Sequence, residues 1–254
     1  MKYIQIIHRI SNRIYTSIMR KINEHYVYDG SRKLKYLYIK PKSTNSGNLI
    51  VCFPAFADNG AKYNYVKTID SFDSHKIFFL DDFSENGRGN YLVEEKTMQL
   101  VRSVLDNLIE KLQPQKIFFI GSSKGGFSAL FYSFLFENVN VCIASPQYYI
   151  GNYLNCDSLK DNLIDIVGCI SDEKIVMLNN LLSNQIKYSK IRPNSVWIHY
   201  SDSEHTYWEH IKYLIDDLRN NGIKVYEDVE HYSEHSQLVN YFPAFLRKTL
   251  KREL

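Results

Sequence analysis

The sequence predicts an α/β fold: a mostly parallel central sheet with helices on both faces and a helical cap insertion. Three observations carry this expectation. Apolar strand-like runs alternate with helical patterns along most of the chain, the order of a covered, mostly parallel sheet. Several of the runs are unbroken β-branched or aromatic stretches, as in strands buried on both faces. One interval, 146–193, is polar and helical in places without an obvious strand, and it interrupts the alternation.

The elements follow in order. Ile4, Ile7, Ile10, Ile14, Ile18 and Ile22 recur at helical spacing and predict a helix over residues 1–25. Lys2, Arg9, Arg13, Arg20 and Lys21 make it basic, with no acid before Glu24. Such a helix either packs on its own domain or lies on an anionic membrane surface, where each nearby basic residue contributes about 1 kcal/mol. It is read as an appended unit, 1–30, ahead of a domain over 31–254. Strands are expected at 35–39, 48–53, 76–81, 116–120, 139–144, 195–200 and 223–229, and helices at 94–112, 125–136, 206–221 and 237–250. The third helix has a good stop in Asn220-Asn221-Gly222. The interval 146–193 then reads as a cap over the carboxyl edge of the sheet, where open α/β folds bind ligands.

Composition narrows the class. A chain of 254 residues with 44% hydrophobic residues can bury a real core, which excludes disorder and disulfide-stapled miniature folds. The net charge of +3 gives no basis for nucleic-acid binding, which needs a concentrated basic face. Cys52, Cys142, Cys156 and Cys169 match no metal spacing and no Cys-x-x-Cys pair, so a reducing, cytoplasmic setting is expected. No long apolar window predicts a membrane span, and Arg9 and Arg13 interrupt any secretory h-region.

The sharpest chemical signal is Gly121-Ser122-Ser123-Lys124-Gly125, between an expected strand and an expected helix. A strand-to-helix turn of this kind lifts the central hydroxyl above the sheet, and the flanking glycines let strand and helix approach closely. The helix amino terminus then offers N–H groups to a developing oxyanion. A serine hydroxyl needs a base, and the base an orienting acid, here in the order Ser, acid, His. His235, in the loop before the final helix, is the preferred base over His231. The acid lies just past the preceding strand, in Ser201-Asp202-Ser203-Glu204-His205. Glu204 is preferred by position, and Asp202 is the alternative acid. The oxyanion hole should combine the N–H of Lys124 with that of Ala55 or Phe56, because Pro54 has none. Asp202, Glu204, His205, His231 and His235 can be drawn as a metal cluster, but no His-Glu-x-x-His is present and no metal is expected.

The cleft is expected to be shaped by the cap and Lys124. Tyr148, Tyr149 and Tyr153 would offer stacking faces, Asn152 would bond hydroxyls, and Lys124 would place a cation beside the nucleophile for an anionic partner. The alternative is that the tyrosines are cap core and that Lys124 points to solvent.

These residues carry a resemblance to the α/β-hydrolase superfamily over most of 35–250. Gly121-Ser-Ser-Lys-Gly-Gly126, Ser145-Pro-Gln-Tyr-Tyr-Ile-Gly-Asn-Tyr153, His205-Thr-Tyr207 with His210-Ile211, and Glu234-His235-Ser236 followed by Tyr241-Phe242-Pro243 are more narrowly similar to proteins of bacterial surface-glycan systems. That group includes capsule O-acetyltransferases of the meningococcal serogroup A type and the acetyltransferase-like component of accessory secretion systems. The resemblance implies nucleophile, acid and base roles for Ser123, Glu204 and His235. The family favours Asp at the acid, which keeps Asp202 in contention. It also implies O-acetyl transfer from acetyl-CoA, a co-substrate rather than a bound cofactor, to a polysaccharide hydroxyl. The alternatives are an esterase or deacetylase of similar glycans, and a non-enzymatic glycan-binding or secretion-partner module.

Overall fold

The computed structural model describes residues 2–43, 46–57 and 60–254, with residues 2–9 as backbone alone. Helix α1 (Lys2–Asn23) runs into a hairpin of β1 (Glu24–Tyr28) and β2 (Lys33–Ile39). Then follow β3 (Asn48–Cys52), β4 (His75–Leu80), α2 (Glu95–Leu112), β5 (Lys116–Ser122), α3 (Lys124–Ser133) and β6 (Val139–Ala144). The interval 146–193 holds α4 (Ile150–Leu154), α5 (Lys160–Val167), α6 (Asp172–Asn179) and α7 (Leu181–Tyr188). The chain closes with β7 (Ser195–Ser201), α8 (Lys212–Asn220), β8 (Val225–Glu230) and α9 (Leu238–Glu253).

All eight strands form one sheet in the order β1-β2-β4-β3-β5-β6-β7-β8. From β4 to β8 every pairing is parallel, and the antiparallel pairings are β1 with β2 and β2 with β4. Strand alternation sorts the apolar runs to two faces. Val51, Phe53, Ile117, Phe119, Val141, Ile143 and Ile198 face α2, α3, α8 and the cap helices. Ile50, Cys52, Phe118, Ile120, Cys142 and Trp197 face α9, the inner side of α1 and the segment 63–72. The continuous runs in the sequence are therefore two interleaved core patterns.

The amino-terminal region differs from the sequence expectation in two respects. The helix ends at Asn23, and 24–28 form an edge strand in register from Glu24 opposite Leu37 to Tyr28 opposite Lys33. The cause is the turn that follows, where Asp29 Oδ1 accepts the N–H groups of Ser31 and Arg32 at 2.7 Å each. The apolar stripe of α1 also faces outward over its described side chains. Ile10, Ile14, Ile18 and Ile22 are exposed, whereas Tyr15 and Met19 pack on the body and the Tyr15 hydroxyl donates to Asp70. The side chains of Lys2, Ile4, Ile7 and Arg9 lie outside the described residues. No helix among the described residues is long and apolar enough to cross a membrane.

Phe119, fully buried in β5, packs edge-on against Phe53 at 5.5 Å and Phe136 at 6.0 Å between ring centroids. Phe119→Ala is expected to lower unfolding stability by about 3–5 kcal/mol, read from urea denaturation of wild type and variant.

Candidate active site

β5 ends at Ser122 and α3 begins at Lys124, so Ser123 alone makes the turn, with φ 52° and ψ −124°. A non-glycine residue in such a region costs on the order of 1–3 kcal/mol and persists only where its surroundings enforce it. Here the Ser123 N–H donates to the Ala144 carbonyl at 2.8 Å, and the Ser123 carbonyl accepts from Gly126 at 2.9 Å and Phe127 at 3.1 Å. Glycine is required on both sides. A Cβ at Gly121 would lie 2.2 Å from the Gly125 carbonyl oxygen, and one at Gly125 would lie 2.3 Å from the Phe53 carbonyl oxygen.

The Ser123 side chain sits at the carboxyl edge of the sheet, with the residue 8% exposed. Among the described residues its hydroxyl has one hydrogen-bond partner, the Gln147 amide, which donates at 2.7 Å. Gln147 comes from the segment between β6 and α4 and accepts in turn from the Tyr91 hydroxyl at 3.4 Å. Sequence reasoning assigned Gln147 no role, because a glutamine inside an aromatic motif carries no chemical signal of its own.

Glu204 and His235 come together from the loops after β7 and β8, with His235 Nδ1 3.3 Å from Glu204 Oε1. His235 is held by a capping box: the Glu234 N–H donates to the Gln237 side chain at 3.0 Å, and the Glu234 side chain accepts from the Gln237 backbone. Glu204 is buried, and its Oε1 also accepts from the Thr206 hydroxyl. Burial pushes the Glu204 carboxyl up, but the bonds from His235 and Thr206 outweigh it and hold the group below the ordinary glutamate range. Its Oε2 is buried without a hydrogen-bond partner, as is the nearby Ser145 hydroxyl. No hydrogen bond joins His235 to Ser123 among the described residues.

Asp202 belongs to a different pair. It lies 2.7 Å from His231 Nδ1 on the exposed surface, and that bond lowers its carboxyl pKa. The five residues that could be drawn as a metal cluster thus separate into two His–acid pairs and an exposed His205. No group of three or more metal-ligating side chains converges among the described residues.

Several expected ligand contacts are corrected. Lys124 is 1% exposed, and its Nζ donates to Asp81 at 2.6 Å and to the Arg88 carbonyl at 3.0 Å, so it faces neither substrate nor solvent. Burial pushes Asp81 up and Lys124 down, and the attraction between them opposes both shifts. Tyr148 is cap core, with its hydroxyl bonded to Asp217. Asn152 is engaged by Asn179, its side-chain oxygen accepting at 2.8 Å and its backbone N–H donating at 2.9 Å, which leaves only its exposed side-chain NH2 for a ligand. Tyr153, half-buried, stacks on Phe56 of the loop after β3 at 6.3 Å between centroids. The Ala55 N–H donates to Asn64 Oδ1 at 3.0 Å, which leaves Phe56 as the uncommitted loop donor opposite the N–H of Lys124, the first residue of α3.

Two further residues border this region. A π-helical turn, Tyr207–Ile211, turns Trp208 outward at 61% exposed and His210 inward. His210 Nδ1 accepts from the Tyr149 N–H at 3.3 Å, while its Nε2 is buried without a hydrogen bond, 4.0 Å from Glu209 Oε2. Burial, then the charges of His205 and His235, lower its pKa to about 4.

No known family and no curated protein matches the sequence of this chain. Solved structures do match. A capsule O-acetyltransferase of Neisseria meningitidis serogroup A aligns with a TM-score of 0.74 at 19% identity, over 89% of this chain and 93% of that one. A variant of that enzyme in complex with CoA aligns with a TM-score of 0.72 at 18% identity, over 89% and 94%. An α/β serine hydrolase homologue from Coxiella burnetii aligns with a TM-score of 0.57 at 14% identity, over 91% and 96%. The fold is that of the α/β-hydrolases.

Two outcomes follow from the buried charges. Lys124→Met leaves Asp81 buried without its cation and is expected to cost about 3–5 kcal/mol, with partial recovery in Lys124→Met/Asp81→Asn, both read by urea unfolding. His210 is held neutral when folded, so the unfolded chain binds the extra proton between pH 6.5 and about 4. Its share of stability, up to about 3 kcal/mol, is full above pH 6.5 and lost as pH falls through that window. His210→Gln should flatten the stability–pH curve there, measured as denaturation midpoints.

Proposed function

We propose that this protein is a serine-dependent acyltransferase that moves an acetyl group from acetyl-CoA to a sugar hydroxyl of a bacterial capsule or surface polysaccharide. The observation that carries the reading is the Glu204–His235 pair at the same sheet edge as the strained Ser123 turn. In this mechanism His235 takes the Ser123 proton as the hydroxyl attacks the thioester carbonyl. The oxyanion meets the N–H groups of Lys124 and Phe56, and the CoA thiol leaves with the proton from His235. The sugar hydroxyl then gives its proton to His235 and attacks acetyl-Ser123, restoring the free serine. Glu204 holds the imidazole tautomer throughout, and no permanently bound cofactor is needed.

The structural likeness to a capsule O-acetyltransferase supports this reading, as does the CoA held by one of its structures. Trp208, Tyr213 and the half-buried Tyr149 supply the aromatic surface for the sugar, in place of Tyr148 and Tyr153. The outward isoleucine row of α1, with Lys21 exposed beside it, would rest on an anionic membrane at its cytoplasmic face, where four free thiols are at home. The 146–193 segment acts as the cap of the catalytic domain. A second reading, an esterase or deacetylase of similar glycans, is favoured by the serine hydrolase likeness and by the 28% exposure of the His235 side chain, since water would then meet the acyl-enzyme.

Incubation with acetyl-CoA, with and without capsule oligosaccharides, separates the readings. Acetylated sugar supports transfer, CoA release without it supports hydrolysis, and neither product favours a non-enzymatic binding module. Ser123→Ala should lower the rate by several powers of ten. Trp208→Ala should raise the oligosaccharide KM by roughly 2- to 10-fold, in line with the worth of one aromatic contact.

A further inference from the structure

A cavity of about 570 Å³ lies between α1 and the segment that follows the oxyanion loop. Arg13 and Arg20 enter it from α1, and Lys62 and Lys67 from the opposite wall, while no acidic residue lines it among the described residues. Arg20 is paired with Glu24 at 2.7 Å, and Lys67 bonds the Ser11 hydroxyl. Arg13, Lys62 and Lys67 have no carboxylate partner among the described residues. Three uncompensated cations in one concavity focus a positive potential that favours a phosphorylated ligand.

The cavity also adjoins the loop after β3. Asn64 lines it and, through Oδ1, accepts the N–H of Ala55 in that loop. In acyl-CoA a pantetheine arm joins the phosphates to the thioester, so a nucleotide anchored here would leave the arm to reach along this loop toward Ser123. We propose that this cavity binds phosphate, and that it holds the phosphorylated nucleotide end of the acyl-CoA donor; the assignment rests on the acyl-transfer reading. The phosphates would meet Arg13, Lys62 and Lys67. A phosphodiester-linked glycan is the other source of the same phosphate chemistry.

The test is calorimetric titration of the full-length protein and of Arg13→Gln/Lys62→Gln with CoA, adenosine 3′,5′-bisphosphate and a phosphodiester-linked capsule oligosaccharide. Unfolding temperature serves as the fold control. CoA and the bisphosphate should bind wild type, weaken about 10-fold or more in the double variant, and lose most of that difference at high salt. Equal CoA affinity in the two proteins would overturn the site while leaving the donor reading intact. Binding of the oligosaccharide alone, weakened in the variant, would assign the phosphate chemistry to the acceptor and overturn the nucleotide assignment. No binding of any probe would overturn the site, and acetyl transfer or CoA release by the same protein would then decide separately whether acetyl-CoA is its donor. If the double variant unfolds early, Lys62→Gln alone, an exposed loop change, gives the same comparison with a smaller expected shift.

Discussion

The close approach of α3 to β3 at Gly125 is the constraint on which the rest of the site depends. The Gly125 backbone lies so near the Phe53 carbonyl that no side chain fits between them. This contact fixes the helix amino terminus against the strand that continues into the loop of Ala55 and Phe56. It therefore sets where Ser123 and the two candidate oxyanion donors stand relative to one another. The strain at Ser123 is sustained because every residue of α3 is buried, so the turn cannot relax without lifting a whole helix out of the core.

Charge placement reinforces the same geometry. Lys124 follows Ser123, and its buried ammonium group meets Asp81, which also accepts the Asn90 N–H at 2.9 Å. Its Nζ stands 5.0 Å from the centre of the Phe56 ring, on the loop after β3. A buried pair of this kind adds little net stability but is costly to break, so it ties the loop after β4, the loop after β3 and the Ser123 turn to one arrangement. The two His–acid pairs divide by exposure. His235 leans on a buried carboxylate, whereas His231 and Asp202 stand in solvent, where screening leaves an ion pair little to contribute.

The sequence made legible whatever depends on local pattern. Alternation and β-branched runs located seven of the strands, and glycine spacing located the elbow, because both are consequences of backbone geometry within a few residues. β1 was hidden because it is short and offers only Val27 and Glu24 as half-buried positions, so neither apolar period registers. The orientation of Lys124, the burial of Tyr148 and the engagement of Asn152 and of the Ala55 N–H were illegible for another reason. Each is decided by a partner far along the chain: Asp81, Asp217, Asn179 and Asn64. Residue type announces that a lysine or tyrosine can reach a ligand, but packing decides whether something else is reached first.

His210 shows how such packing could bear on the chemistry without contact to a substrate. Its imidazole lies close enough to His205 and His235 for their charges to lower its pKa, and burial keeps it neutral well below neutral pH. Were it protonated, its charge would oppose a proton on His235, the base of the proposed mechanism. A neutral ring that accepts the Tyr149 N–H, beside Tyr149 and Tyr153, avoids this repulsion, so that in the proposed mechanism Glu204 sets the charge that His235 meets. The π-helical turn is the device that brings this about. Its extra backbone residue carries Trp208 to the surface and His210 to the interior, so the aromatic face and the neutral histidine are placed by a single local irregularity shortly after Glu204.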